Sequence, residues 1–363
     1  MKRIIALLVL SLGLGLLGLY LSTRESLFSP ATFTPPNATA GLVGVAVASL
    51  LALWLMPVVK LMVLARAQGH RVGPGTAFIA HVGQVFGTAM TPSGTGGGPA
   101  LVVALERAGV PVGTGLGIAV QLFVLDLAAL GVLIPVGLAY LLLFSPLVLP
   151  TTTAVLAGVA AAVALAGSIV LVRFPGSFSK LIMRAAKLRM LRRFKERLTR
   201  VAREYYVSAV AFRDMPLRTW SVLHVVNLVA WLTNFLLLWA LFAIYGTEAR
   251  LLDVLALLSM ITLIGFFVPT PGASGFTELM VGLVASSRGA SQSIAAPVAL
   301  WRTGTFYIAY LLGPLCAWIL LARRPPAWLR RRKAASAGTT VEQEQHGTSG
   351  RPVASDAADR EPG

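Results

Sequence analysis

The sequence predicts an all-α polytopic membrane protein, with about six full transmembrane helices plus two re-entrant helical hairpins in an inverted repeat. Three observations carry that prediction. Hydrophobic residues make up 56% of the chain and charged residues 12%, with a mean hydropathy of +0.78, far outside the range of soluble domains. Apolar runs of crossing length recur along the chain. Two of the apolar regions are interrupted by nearly matching polar runs, "TPSGTGGGP" from Thr91 and "TPGASGFTE" from Thr270, offset by 179 residues.

The opening "MKRIIALLVLSLGLGLLGLYL" has a basic start and a long apolar stretch with no clear A-x-A site after it. It reads as a first transmembrane helix, with a secretory signal as the alternative. Residues 41–64 form the next span, and Arg66 and Arg71 after it place that end in the cytoplasm. Residues 76–90 and 100–108 are two arms on either side of the first break, each too short for a crossing of about 20 residues. Residues 115–144 and 151–172 are full spans. The stretch 173–218 then carries thirteen Lys or Arg against three acidic residues, so it is expected in the cytoplasm. Within it Leu181, Ala185, Leu188, Leu191, Leu198, Val201 and Tyr205 recur at near-helical spacing, as in an amphipathic helix on the inner leaflet. Residues 219–245 form another span, 254–268 and the arm ending at Ser287 flank the second break, and 295–321 is the last span. "RRPPAWLRRRK" follows on the cytoplasmic side, and residues 334–363 have the composition of a disordered tail. These assignments give a membrane domain over 1–322 and a basic, then disordered, tail over 323–363. Both termini are expected in the cytoplasm and the protein in the cell membrane.

The 179-residue offset maps 41–64 onto 220–243 and 115–144 onto 294–323. Two halves result, about 41–144 and 220–323. Charge bias has the first enter from outside and the second from inside. Re-entrant hairpins keep every arginine cluster inside; pairs of short helices crossing a thinned bilayer are the alternative. Inverted repeats with broken helices are a plan of secondary transporters, with substrate near the midplane. Non-helical backbone at that depth is tolerated only where it is buried in protein or lines a wet cavity. The competing structural explanation is that small residues simply allow close helix packing.

Ionisable residues within apolar spans are expensive and mark functional sites. Asp126 lies near mid-depth, Glu278 just after the second break, and Arg302 inside the last span. An Arg302–Glu278 pair would shield both charges from lipid, with Asp126 as another possible counter-charge. Lys60 is expected to snorkel from the end of its helix. His81, Gln84, Gln121, His224, Asn227 and Asn234 read as interhelical hydrogen bonders. The net charge of +17 falls mostly in two blocks flanking apolar spans, which fits topology and anionic lipid rather than nucleic acid. One cysteine, Cys316, leaves no internal disulfide, and neither a metal cluster nor a GxxxxGK[ST] phosphate loop is present in the sequence, so no cofactor is expected.

The two breaks resemble the lysylphosphatidylglycerol synthase transmembrane-region family, the flippase-like proteins. Thr91, Pro92, Thr95, Gly96, Gly97, Pro99, Leu105, Gly109 and Val110 fit its first motif; Pro269, Thr270, Pro271, Gly272, Gly275, Glu278 and Arg302 fit its second. Gly98 stands where the family commonly has a polar residue. The resemblance implies a lipid translocase for a phospholipid or polyprenol-linked lipid; its motifs together with the polar and ionisable residues read above give an expected substrate site of Thr91, Pro92, Thr95, Gly96, Gly97, Thr270, Pro271, Gly272, Ser274, Gly275, Glu278, Arg302 and Asp126. The partners it implies are membrane lipids, anionic or polyprenol-linked, and a separate lipid-modifying enzyme. No soluble synthase domain is read from the sequence, so aminoacyl transfer by this chain is not expected. A membrane component of a lipid glycosyl- or aminoacyl-transfer pathway and a small-solute secondary transporter are the alternative functions.

Overall fold

The computed structural model describes residues 9–10, 13–18, 20–21, 34–144, 151–188, 194–286 and 294–323. Short helical pieces within residues 9–21 precede twelve named helices. These are α1 (Ala40–Ala67), α2 (Pro74–Ala89), α3 (Gly97–Arg107), α4 (Val112–Phe144), α5 (Thr151–Arg173), α6 (Gly176–Ala185), α7 (Lys195–Arg213), α8 (Leu217–Ile244), α9 (Leu251–Gly265), α10 (Phe276–Ser286), α11 (Ala295–Arg302) and α12 (Ile308–Arg323). A π-helical turn, Thr303–Tyr307, joins the last two. Residues Met1–Ala317 form one compact unit, and the described part of a second, Trp318–Gly363, is the end of α12.

Four helices, α1, α4, α5 and α8, are long and apolar enough to cross a membrane. This is a multi-pass membrane protein. The expected last span is interrupted at Thr303–Tyr307, where the backbone widens into the π turn, and most of the expected first span lies outside the described residues. Outward-facing Val47, Leu51 and Leu55 on α1 and Leu156, Val159 and Val163 on α5 are exposed, as lipid-facing residues must be in an apolar solvent.

Lipid tails are as apolar as leucine, so helices in a bilayer associate through close packing and hydrogen bonds rather than through the hydrophobic effect. Small residues make that approach possible here. A Cβ on Gly137 would lie 2.7 Å from the Ala256 Cα on α9, and one on Gly131 would lie 2.9 Å from the Leu165 Cβ on α5. The most extensive helix pair is α1 with α8. Helix α9 is buried on two faces. Its Val254, Leu258 and Ile261 join a core with Phe235, Leu238 and Trp301, while its Ala256, Met260 and Leu263 join a second core with Leu130 and Ile134. That explains its apolarity on all sides. At about 1.5 Å per residue, fifteen residues reach roughly 22 Å, short of the roughly 30 Å hydrocarbon thickness.

The basic stretch after α5 folds as two helices, α6 and α7, with 189–193 and hence Leu191 outside the described residues. Helix α7 buries Ala202, Tyr205, Ser208, Ala209 and Phe212, while Leu181 on α6 and Leu188 beyond its end are exposed. Of the apolar positions that the sequence pattern names on α7, Tyr205 is buried, while Leu198 and Val201 are half-buried. Phe178 packs at a tilt against Tyr205 at 5.0 Å between ring centres, and the Ser179 hydroxyl donates to the Ala202 carbonyl at 3.0 Å. The Gly113 N–H donates to Glu204 Oε2 at 2.9 Å, placing a carboxylate at the positive N-terminus of α4. Gln121 Nε2 donates to both the Ser208 carbonyl and hydroxyl at 3.1 Å, the Ser208 hydroxyl donates to Gln68 Oε1 at 2.5 Å, and Gln68 Nε2 returns to Gln121 Oε1. This closed ring ties α4, α7 and the end of α1 together. Gly117 makes room for it, because a Cβ there would sit 2.1 Å from the Ser208 oxygen. In hydrogen-exchange mass spectrometry of the purified protein, the α7 backbone amides should therefore be protected, and Gly117→Leu should raise their exchange by more than about tenfold, about 1.4 kcal/mol of opening free energy.

Candidate functional site

The two glycine-rich breaks meet. Pro92 and Pro271 form an isolated antiparallel backbone bridge, and the Ser93 hydroxyl donates to the Val268 carbonyl at 3.3 Å. Each break is the same local structure: a bend at the threonine, the bridged proline, four turn residues, then a helix N-terminus. In both, the fourth residue donates to the threonine carbonyl at 3.2 Å, Gly94 to Thr91 and Ala273 to Thr270. The left-handed residues also correspond, Ser93 and Gly94 (φ 53° and 68°) with Gly272 and Ala273 (both φ 56°).

The side chains of the first break serve its own turn. The Thr91 hydroxyl donates to the Gly87 carbonyl at 2.9 Å and accepts from the Gly96 N–H at 2.7 Å; Thr95 donates to the Pro92 carbonyl at 3.2 Å. Gly96 and Gly97 let α3 lie against α2, since added Cβ atoms would come within 2.6 Å of the Gly87 carbonyl oxygen and 2.2 Å of the Thr88 hydroxyl. In the second break Ser274 is fully buried, and the Thr270 hydroxyl is buried without a hydrogen-bond partner among the described residues.

Glu278 and Arg302 are 2% and 6% exposed and form an ion pair, with Arg302 Nε donating to Glu278 Oε1 at 2.7 Å. The same oxygen accepts from the Tyr307 hydroxyl at 2.9 Å, and Glu278 Oε2 accepts from the Gly275 N–H at 2.9 Å. The carboxylate therefore caps the start of α10 while binding the last helices. The Arg302 guanidinium lies over the Phe306 ring, 4.4 Å from its centre. Gly272 is required beside that ring: at φ 56°, a Cβ would fall 2.1 Å from Phe306 Cζ. Residues of the first helix close the packing, for a Cβ on Gly18 would meet the Gly275 carbonyl oxygen at 2.2 Å.

Asp126 is elsewhere. It does not reach Arg302 but pairs with Lys60, whose Nζ donates to Asp126 Oδ1 at 2.9 Å and to Asn227 Oδ1 at 2.6 Å. Lys60 is only 6% exposed, so it does not snorkel to an interface; the carboxylate and amide across the helix interface hold it inside. Asn227 is itself fixed by donating to the Leu125 carbonyl at 2.8 Å, and Trp231 Nε1 donates to Asp126 Oδ1 at 3.3 Å. This cluster borders a cavity of about 300 Å³ between α1, α2, α4, α8 and the π turn. Trp54, His81, Gln84, Asn234 and Phe306 also line it. Trp54 Nε1 donates to the Gly304 carbonyl at 2.9 Å, and Asn234 Oδ1 accepts from Trp301 at 2.9 Å, so the walls are positioned by the π turn and the helix before it. Pro57, another wall residue, has no N–H to give the Leu53 carbonyl, and Leu53 too lines the cavity. Of the thirteen residues proposed from sequence, only Asp126 lines this space; the others form the bridged tips and their ion pair. Lys60 and Trp231 were missed as site residues. The signal available for Lys60 was a charge within an apolar helix, which the sequence reading assigned to the interface.

A profile of the lysylphosphatidylglycerol synthase TM region matches residues 3–313, and no curated protein matches the chain. This chain belongs to that family. The matched region is a membrane region, and the family suggests involvement in lipid metabolism or translocation.

The tip geometry sets three expectations for thermal unfolding in detergent. Glu278→Gln, which leaves Arg302 buried without its counter-charge, should destabilise by about 3–5 kcal/mol. Gly272→Ala should also lower the melting temperature, by at least the roughly 1–2 kcal/mol of a left-handed alanine. Gly98→Ala should leave it unchanged, because nothing lies within 4 Å of that Cβ.

Proposed function

We propose that the protein is a lipid translocase, a non-enzymatic flippase-like carrier that passes a phospholipid or polyprenol-linked headgroup across the cell membrane. The observation that carries this reading is the cavity: a space of about 300 Å³ on which a buried Lys60 pairs with a half-buried Asp126, held among helices whose outer faces are apolar. Ionisable groups at such depth are unfavourable unless a wet path or a polar ligand uses them. The volume is at the small end of the roughly 300–1,000 Å³ of small-molecule sites, suited to a headgroup with its acyl chains left in lipid.

The bridged breaks supply the rigid centre of this device rather than the contact surface. Family membership supports a lipid substrate, and the antiparallel pairing of Pro92 with Pro271 supports two halves of opposite orientation. We read α2–α3 and α9–α10 as re-entrant hairpins in that inverted repeat, both termini as cytoplasmic, and the membrane lipid as the partner. Alternating access would then tilt one half against the other around the bridge, exposing the cavity to each leaflet in turn.

In proteoliposomes containing a tail-labelled phospholipid, the wild-type protein should raise the rate at which label becomes accessible from the opposite leaflet. Ala230→Trp, which places an indole in the cavity without removing a polar partner, should reduce that rate by at least about tenfold, as expected for about 1.4 kcal/mol. Equal rates for the two proteins would rule the cavity out as the route.

A further inference from the structure

The charges of the cavity specify the kind of headgroup it takes. Lys60 and Asp126 line it as an opposed pair, and the Lys, Arg, Asp and Glu residues of the lining sum to zero formal charge. An ammonium has three donors. Asp126 Oδ1 and Asn227 Oδ1 take two of those on Lys60, which leaves one N–H for a ligand. Trp231 and Lys60 both use Asp126 Oδ1, which leaves Oδ2 free among the described residues, and the Asp126 side chain is 27% exposed where that of Lys60 is 8%. A free acceptor and a free donor thus stand side by side on opposite charges. Around them the indoles of Trp54 and Trp231 and the ring of Phe306 contribute aromatic surface, which attracts cations more than anions.

A headgroup of net charge entering this space would leave one buried charge without compensation, whichever sign it carried. A zwitterion would not. Its phosphate can take the lysine and its ammonium the aspartate and the indole faces, exchanging one ion pair for two and leaving no charge unmatched. We propose that the cavity is built for a zwitterionic phosphate–ammonium headgroup, of the phosphoethanolamine kind, with Lys60 as the phosphate contact and Asp126 as the ammonium contact. This rests on the translocase reading above. Asn227 is a positioning residue: it holds Lys60 toward Asp126 from α8 and is itself anchored on the Leu125 carbonyl.

The test uses the full chain in proteoliposomes with three tail-labelled lipids that differ only in headgroup: phosphoethanolamine, phosphoglycerol and a neutral sugar. The phosphoethanolamine lipid should cross fastest, and equal or faster crossing by either of the others overturns the assignment while leaving translocation standing. Asp126→Asn keeps the shape but leaves Lys60 as the single charge of the pair, so the ratio of phosphoglycerol to phosphoethanolamine rates should rise by about tenfold, equivalent to about 1.4 kcal/mol. An unchanged ratio overturns the roles given to the pair. Lys60→Met should shift the ratio the opposite way. Because a ratio is read within one preparation, partial misfolding does not mimic it. A parallel arm offers radiolabelled free phosphoethanolamine; its uptake without lipid movement would assign the same chemistry to a soluble ligand and overturn the lipid assignment. No movement of any lipid overturns this inference together with the translocase reading.

Discussion

A carboxylate and a guanidinium 2.7 Å apart, both buried in an apolar interior, tie together three otherwise separate pieces of this chain. Neither charge is tolerable there alone. Glu278 spends one oxygen on the Gly275 N–H and the other on Arg302 and Tyr307, so the second break, the start of α10 and the π turn have one common anchor. From that anchor the constraint passes in two directions. Gly272 fits under Phe306, and the neighbouring Pro271 reaches Pro92, which fixes the first break. The π turn that carries Phe306 offers the Gly304 carbonyl to Trp54, which fixes a wall of the cavity. The ion pair sets the frame, and the second pair, Lys60 with Asp126, faces the space inside it.

Division of labour between the two pairs follows from exposure. Glu278 has every oxygen engaged and is 2% exposed, so a ligand would have to break an existing structure to reach it. Asp126 keeps one oxygen unengaged among the described residues, at the edge of a cavity. Charge in a membrane interior marks function only after its bonds have been followed to their ends.

The sequence reading goes far on the helices and less far on the site. Crossing-length apolar runs locate α1, α4, α5 and α8 to within a few residues, because hydropathy is a local property of the chain. The paired breaks were visible for the same reason, as was the possibility that Arg302 and Glu278 meet, being only 24 residues apart on one hairpin and the next helix. Lys60 and Asp126 are different. They lie 66 residues apart with Asn227 another 101 beyond, and nothing in local periodicity brings α1, α4 and α8 to one point. The π turn was equally hidden, since widening by one residue leaves hydropathy unaltered. The α6–α7 stretch was read as amphipathic, which it is; the pattern does not say whether a neighbouring helix or a bilayer covers its apolar face.

The bridge between Pro92 and Pro271 also bears on how such a chain is made. A contact across 179 residues cannot form until the second partner has been synthesised. At 5–20 residues per second the first turn waits roughly 10–40 s for it. Throughout that interval Ser93 must hold its left-handed backbone, or adopt it late, without the strand-like contact that supports it in the finished fold. Assembly is therefore sequential, and the bridge is not its last step, because the Gly304 carbonyl that holds Trp54 is made later still.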